Sequence, residues 1–109
     1  MLALAGSTVL WPWINLSPYA EAEVERAGVE ALGRSDNEYA KSLLEKSARM
    51  RGAPARAWYN LGIAYHRLGQ YEDALAAYEH AAAMPDSTSE FNETAQQMKE
   101  FWTRRKVKR

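Results

Sequence analysis

The chain has 109 residues, no cysteine, 47% hydrophobic residues and 26% charged ones. One domain is expected from that length, and the composition is that of a folded protein, not a disordered one. Without cysteine there is no disulfide framework and no thiolate metal site. A net charge of zero conceals three zones. Residues 1–20 carry no charged side chain, residues 21–103 hold nine Lys and Arg against fourteen Asp and Glu, and residues 104–109 hold five cations. The chain therefore divides into an apolar N-terminal segment (1–17), a net acidic body (18–103) and a basic tail (104–109).

Residues 2–16, LALAGSTVLWPWINL, are apolar and uncharged. As a helix they would reach about 22 Å, short of the roughly 30 Å hydrocarbon core of a bilayer, and Pro12 would break them. Leu10, Trp11, Trp13 and Ile14 suit a membrane interface or a partner's surface. Three readings stand: a short membrane anchor, a docking segment, or a secretory signal ending at Ala20-Glu21-Ala22, which lacks the preceding Lys or Arg.

From Ser17 onward the punctuation is helical. Ser17-Pro18 reads as an N-cap with proline at the first helical position. Val24, Ala27, Gly28, Ala31 and Leu32 then form an amphipathic stripe, with Gly33 at the left-handed C-terminal position. Ser35-Asp36-Asn37-Glu38 is a capping-box pattern opening a stripe of Tyr39, Ala40, Leu43, Leu44 and Ser47. Pro54 opens a third helix with Trp58, Leu61, Gly62, Tyr65 and Leu68, ended by Gly69. A fourth carries Tyr71, Ala74, Leu75, Tyr78, Ala81 and Ala82, ended by Pro85. Ser87-Thr88-Ser89-Glu90 is a second capping-box pattern, before a stripe of Phe91, Ala95, Met98 and Phe101 or Trp102. Period-two alternation is missing from this whole stretch, so an all-α fold is expected.

Residues 55–85 resemble the tetratricopeptide repeat. Trp58, Leu61, Gly62, Tyr65, Gly69, Tyr71, Ala74, Tyr78 and Ala81 stand at that family's spacing, with Pro85 one residue early. Shifting back by one repeat period lays Gly28 on Gly62, Ala40 on Ala74, Leu44 on Tyr78 and Ser47 on Ala81, so residues 21–54 look like a degenerate copy. The resemblance implies antiparallel helical hairpins, about two repeats, closed by a C-terminal capping helix. Gly62 is expected to meet the second helix of its repeat near Ala74.

The same resemblance implies a scaffold for other protein subunits. In this family the first helix of each repeat lines a concave face that holds a peptide or a partner's helix. Carried over, that points to Glu25, Arg26 and Val29 in the degenerate copy. In the clear repeat it points to Arg56, Tyr59, Asn60, Ile63, His66 and Arg67. Tyr59, Ile63 and His66 share a stripe distinct from Trp58, Leu61, Gly62 and Tyr65, and are expected to stand outside the core. The carboxylate-clamping members of the family are matched by Asn60 alone.

Motifs for chemistry are missing. His66 and His80 have no metal-binding context, and no nucleophile elbow, P-loop or dinucleotide fingerprint occurs. Glu72 and Asp73 begin a helix, where carboxylates favour its dipole. No enzyme activity, cofactor or metal is expected. The tail Arg104, Arg105, Lys106, Lys108 and Arg109 offers charge to an anionic partner or a lipid surface. A net acidic body argues against nucleic-acid binding as the main role. The expected setting is membrane association through the N-terminal segment, with a soluble cytoplasmic adaptor as the alternative.

Overall fold

A computed structural model describes residues 17–107, with side chains from residue 20 onward. Leu10, Trp11, Trp13, Ile14, Lys108 and Arg109 lie outside the described residues. Five helices follow one another: α1 (Ser17–Gly33), α2 (Asn37–Arg49), α3 (Ala55–Arg67), α4 (Tyr71–Ala83) and α5 (Ser89–Val107). Each packs on its sequence neighbour, and α1 also touches α3. The result is two helical hairpins, α1–α2 and α3–α4, stacked side by side and closed by α5.

The repeat period is built into the backbone. Helices α2 and α4 start at Asn37 and Tyr71, and α3 and α5 start at Ala55 and Ser89, so both pairs have the same offset. Ser35 and Gly69 both take positive φ, at 61° and 77°. Asp36 and Gln70 then cap the next helices with φ near −88° and ψ near 72°. The Asp36 amide donates to the Ala31 carbonyl and the Gln70 amide to the Tyr65 carbonyl, both at 2.9 Å. One turn has glycine for the left-handed residue and the other a serine, which accepts a steric cost there.

The core repeats too. A Cβ built on Gly28 would stand 2.7 Å from Leu44 Cγ and Cδ2, and one on Gly62 would stand 2.5 Å from Tyr78 Cδ1 and Cε1. Each glycine thus lets the paired helix bring in a large side chain sixteen positions later. One core gathers Ala31, Leu32, Ala40, Leu44, Ala48, Ala57, Leu61 and Ala64 between the hairpins. A second gathers Ala74, Tyr78, Ala95 and Met98 between α4 and α5. Small residues at close approaches and large ones around them give native packing density.

Several local expectations are corrected. The left-handed residue after α1 is Ser35, not Gly33, which is still helical. The first capping-box pattern makes no box: α2 is capped by Asp36, without a side-chain cap bond, because Ser35 is committed to the turn. In the second, Thr88 is the capping side chain, its Oγ1 accepting from the Phe91 amide at 3.2 Å. Gly62 meets Tyr78, one turn beyond Ala74. Tyr39 is half exposed and not part of the buried stripe, which runs Ala40, Leu44, Ser47 and Ala48. Helix α5 continues to Val107, so Arg104, Arg105 and Lys106 are helical.

Candidate functional site

Helices α1, α3 and α5 occupy equivalent places in successive units, and the candidate face is the side they share. Its α1 part contains Glu25, Arg26 and Val29. Glu25 is buried, because Arg56 of α3 clamps it: Arg56 Nε donates to Glu25 Oε2 at 2.7 Å and Nη2 to Oε1 at 3.1 Å. That hydrogen bond raises the Arg56 pKa against the opposing effect of desolvation. Two residues far apart in sequence are thereby brought together, but as a strut between hairpins and not as free binding groups. One turn before, Ser47 Oγ donates to the buried carboxylate of Glu21 at 2.9 Å.

Arg26 stays on the surface of α1 and bridges Glu23 at 2.8 Å and Glu30 at 3.0 Å. The hydrogen bond and the charge of Arg26 lower the Glu23 pKa, and the same bond raises that of Arg26. Val29 is 43% exposed, an apolar side chain open to a partner.

On α3 the expected stripe divides. Tyr59 and Ile63 do not stand outside the core. Tyr59 stacks on Phe91 of α5 at 4.4 Å and tilts against Tyr78 at 5.5 Å. Ile63 packs against both cores. Helix α5 covers them, because a helix at the end of the array must bury its apolar side on the last hairpin. His66 is exposed, with Tyr71 at 5.8 Å and Phe101 at 6.4 Å. Arg67 Nη1 donates at 2.8 Å to the Leu32 carbonyl, satisfying the last turn of α1. Asn60 is half buried. The start of α3 is held by Asp86, whose Oδ2 accepts from the Ala55 amide at 3.0 Å.

Between α3, α4 and α5 lies a cleft of about 200 Å³ lined by His66, Tyr78, Thr94, Gln97, Met98 and Phe101. Burial pushes the Tyr78 hydroxyl up to about 12, so its floor is neutral at physiological pH. The sequence reading missed Thr94, Gln97 and Phe101 as face residues. Its own period could have found them, since one repeat back they fall on Asn60, Ile63 and Arg67. Beside the cleft, the Arg105 guanidinium lies 4.9 Å from the Tyr71 ring centre and 5.8 Å from that of Phe101. Lys106 sits over Trp102 at 5.8 Å. A second cleft of about 200 Å³ involves α2, α3 and α4, where His80 stacks on Trp58 at 3.8 Å. Near it the Tyr65 hydroxyl donates to Glu45 Oε2 at 2.6 Å, and burial with that bond raises the Tyr65 pKa.

Among the described residues no group of His, Asp and Glu could hold a metal ion. Also among them, no helix is long and apolar enough to cross a membrane. Residues 55–84 match the family model of the tetratricopeptide repeat. No curated protein matches the chain.

Proposed function

We propose, from the match of residues 55–84 to the tetratricopeptide repeat, that the chain is a protein–protein interaction scaffold whose α1–α3–α5 side receives a partner's peptide or helix. The observation that carries this is the recurrence of one close approach, Gly28 on Leu44 and then Gly62 on Tyr78, one repeat period later. It repeats one hairpin geometry a period later, so that α1 and α3 fall on the same side of the array. Val29 on α1 and Asn60 and His66 on α3 give that side apolar and polar contacts on different helices, as an interface requires. A partner is expected to meet these residues first.

A finer part of the proposal is the setting. The uncharged stretch 1–20, with Trp11 and Trp13, supports tethering of this scaffold at a membrane or a larger complex as an accessory subunit. The basic residues 104–109 suit an anionic partner.

Photo-cross-linking in the native source tests the face. A photoreactive residue at Val29 or His66 should capture the partner, and one at Ala76, exposed on α4, should not. Equal capture from Ala76 would refute the assignment. For the setting, the full chain should sediment with membranes or a large assembly, and a chain lacking residues 1–16 should not.

A further inference from the structure

The cleft between α3, α4 and α5 has a defined chemistry. Its floor is apolar: Tyr78 and Met98 are nearly inaccessible to solvent, at 3% and 4%, yet both line it. Its walls are Phe101 and the polar side chains of Thr94 and Gln97. Its volume, about 200 Å³, is on the scale of one apolar side chain, a water occupying about 30 Å³ in the liquid. At the Phe101 end stand a cation and an imidazole, Arg105 and His66. Arg105 is exposed and, among the described residues, pairs with no carboxylate; it rests on the rings of Tyr71 and Phe101. That stacking holds the guanidinium beside the cleft with its N–H edges free to donate.

We infer that this cleft takes a peptide segment in which an apolar anchor side chain is flanked by acidic residues, the anchor seated on Tyr78 and Met98 and a carboxylate meeting Arg105. The inference rests on the scaffold function proposed above and names the chemistry of its partner. Charge decides the class. The cation at the cleft end repels a basic neighbour and attracts an acidic one, and Thr94 and Gln97 can hydrogen-bond the peptide backbone. The cleft is also placed to be used, because α5 covers Tyr59 and Ile63 upstream but leaves this space open downstream.

The experiment is a heteronuclear NMR titration of the isotope-labelled full chain with three short peptides. Each carries a central leucine, flanked by glutamates, by serines or by lysines. The glutamate peptide should shift the amides of Thr94, Gln97, Met98 and Phe101. The lysine peptide should bind about fivefold more weakly, the scale set by exposed charge pairs. Arg105→Glu, a surface change, should reverse the order of the two charged peptides. Gln97→Trp, which fills the rim, should remove binding of all three.

Equal affinities for the three peptides, or an order unchanged in Arg105→Glu, would overturn the inference. So would shifts confined to Val29 and Arg56, a result that leaves the wider face intact and so separates the two proposals. An Arg105→Glu variant that loses binding to phosphatidylserine vesicles but titrates peptides as the parent does would assign the cation to a lipid surface instead.

Discussion

Gly62 is the position where two opposed effects can be weighed from the structure. Alanine is the better helix former by about 1 kcal/mol, so Gly62→Ala would stabilise an open helix. Here the added methyl would stand 2.5 Å from Cδ1 and Cε1 of Tyr78 and 3.1 Å from Cγ. Restoring ordinary contact requires the ring to withdraw by about 1 Å, and overpacking of that kind costs about 1–3 kcal/mol. Tyr78 has little room to yield. It is 3% exposed and packed with Ala74, Ala95 and Met98, and the Tyr59 ring is pinned beside it by Phe91. The cost therefore belongs in the upper part of the range, and a net loss of about 1–2 kcal/mol is expected. For a domain near 100 residues that lowers Tm by about 4–8 °C per kcal/mol. Gly33→Ala is the control: its methyl would meet nothing within 4 Å and its φ is not positive, so Tm should rise slightly. Thermal unfolding followed by far-ultraviolet circular dichroism reads both. A Tm that rises in Gly62→Ala as it does in Gly33→Ala would refute the packing argument.

Two further outcomes follow from the second core. Tyr59→Ala should cost about 2–4 kcal/mol, as truncation of a packed aromatic does, and hydrogen exchange should show α5 losing protection before α2. Stability should also fall at high pH, because burial holds the Tyr78 hydroxyl at about 12 in the folded chain, above its unfolded value near 10. That contribution is fully present below pH 10 and lost as pH rises toward about 12. The interval from about 10 to about 12 corresponds to about 2.7 kcal/mol, which solvent screening at this partly covered hydroxyl reduces to about 2 kcal/mol, and denaturant titrations of Tyr78→Phe should show a shallower loss over that window.

Fold and site differ in how far the sequence reveals them. Gly62 and Tyr78 are readable because a close approach needs one small residue, one large residue and a fixed spacing, all local to the hairpin. The Gly28 and Leu44 pair is readable only through its period, since neither residue is distinctive alone. The fate of Tyr59 and Ile63 is not legible within the repeat at all. Seen along α3 they form an outward stripe, and only the docking of α5, through Phe91, turns that stripe inward. The Glu25 and Arg56 strut hides for a similar reason: a charged residue reads as solvated until the neighbouring hairpin supplies its partner. Thr94 and Gln97 were within reach, because the period that aligns α1 with α3 also aligns α3 with α5.

That alignment explains why the surface is used unevenly along the array. A helix in the position of α1 or α3 has a neighbour on its C-terminal side and shares its open side with it. At the α1–α3 junction the Glu25–Arg56 clamp and the Arg67 bond to Leu32 draw the helices together. At the α3–α5 junction the join is aromatic at one end, through Tyr59 and Phe91, and open at the other, where Thr94 and Gln97 are too short or too polar to fill the space above Met98. The terminal helix therefore has two consequences from one placement. It covers the apolar residues that would otherwise be exposed at the end of a short array, and it leaves beside Arg105 the apolar cleft that a partner can enter.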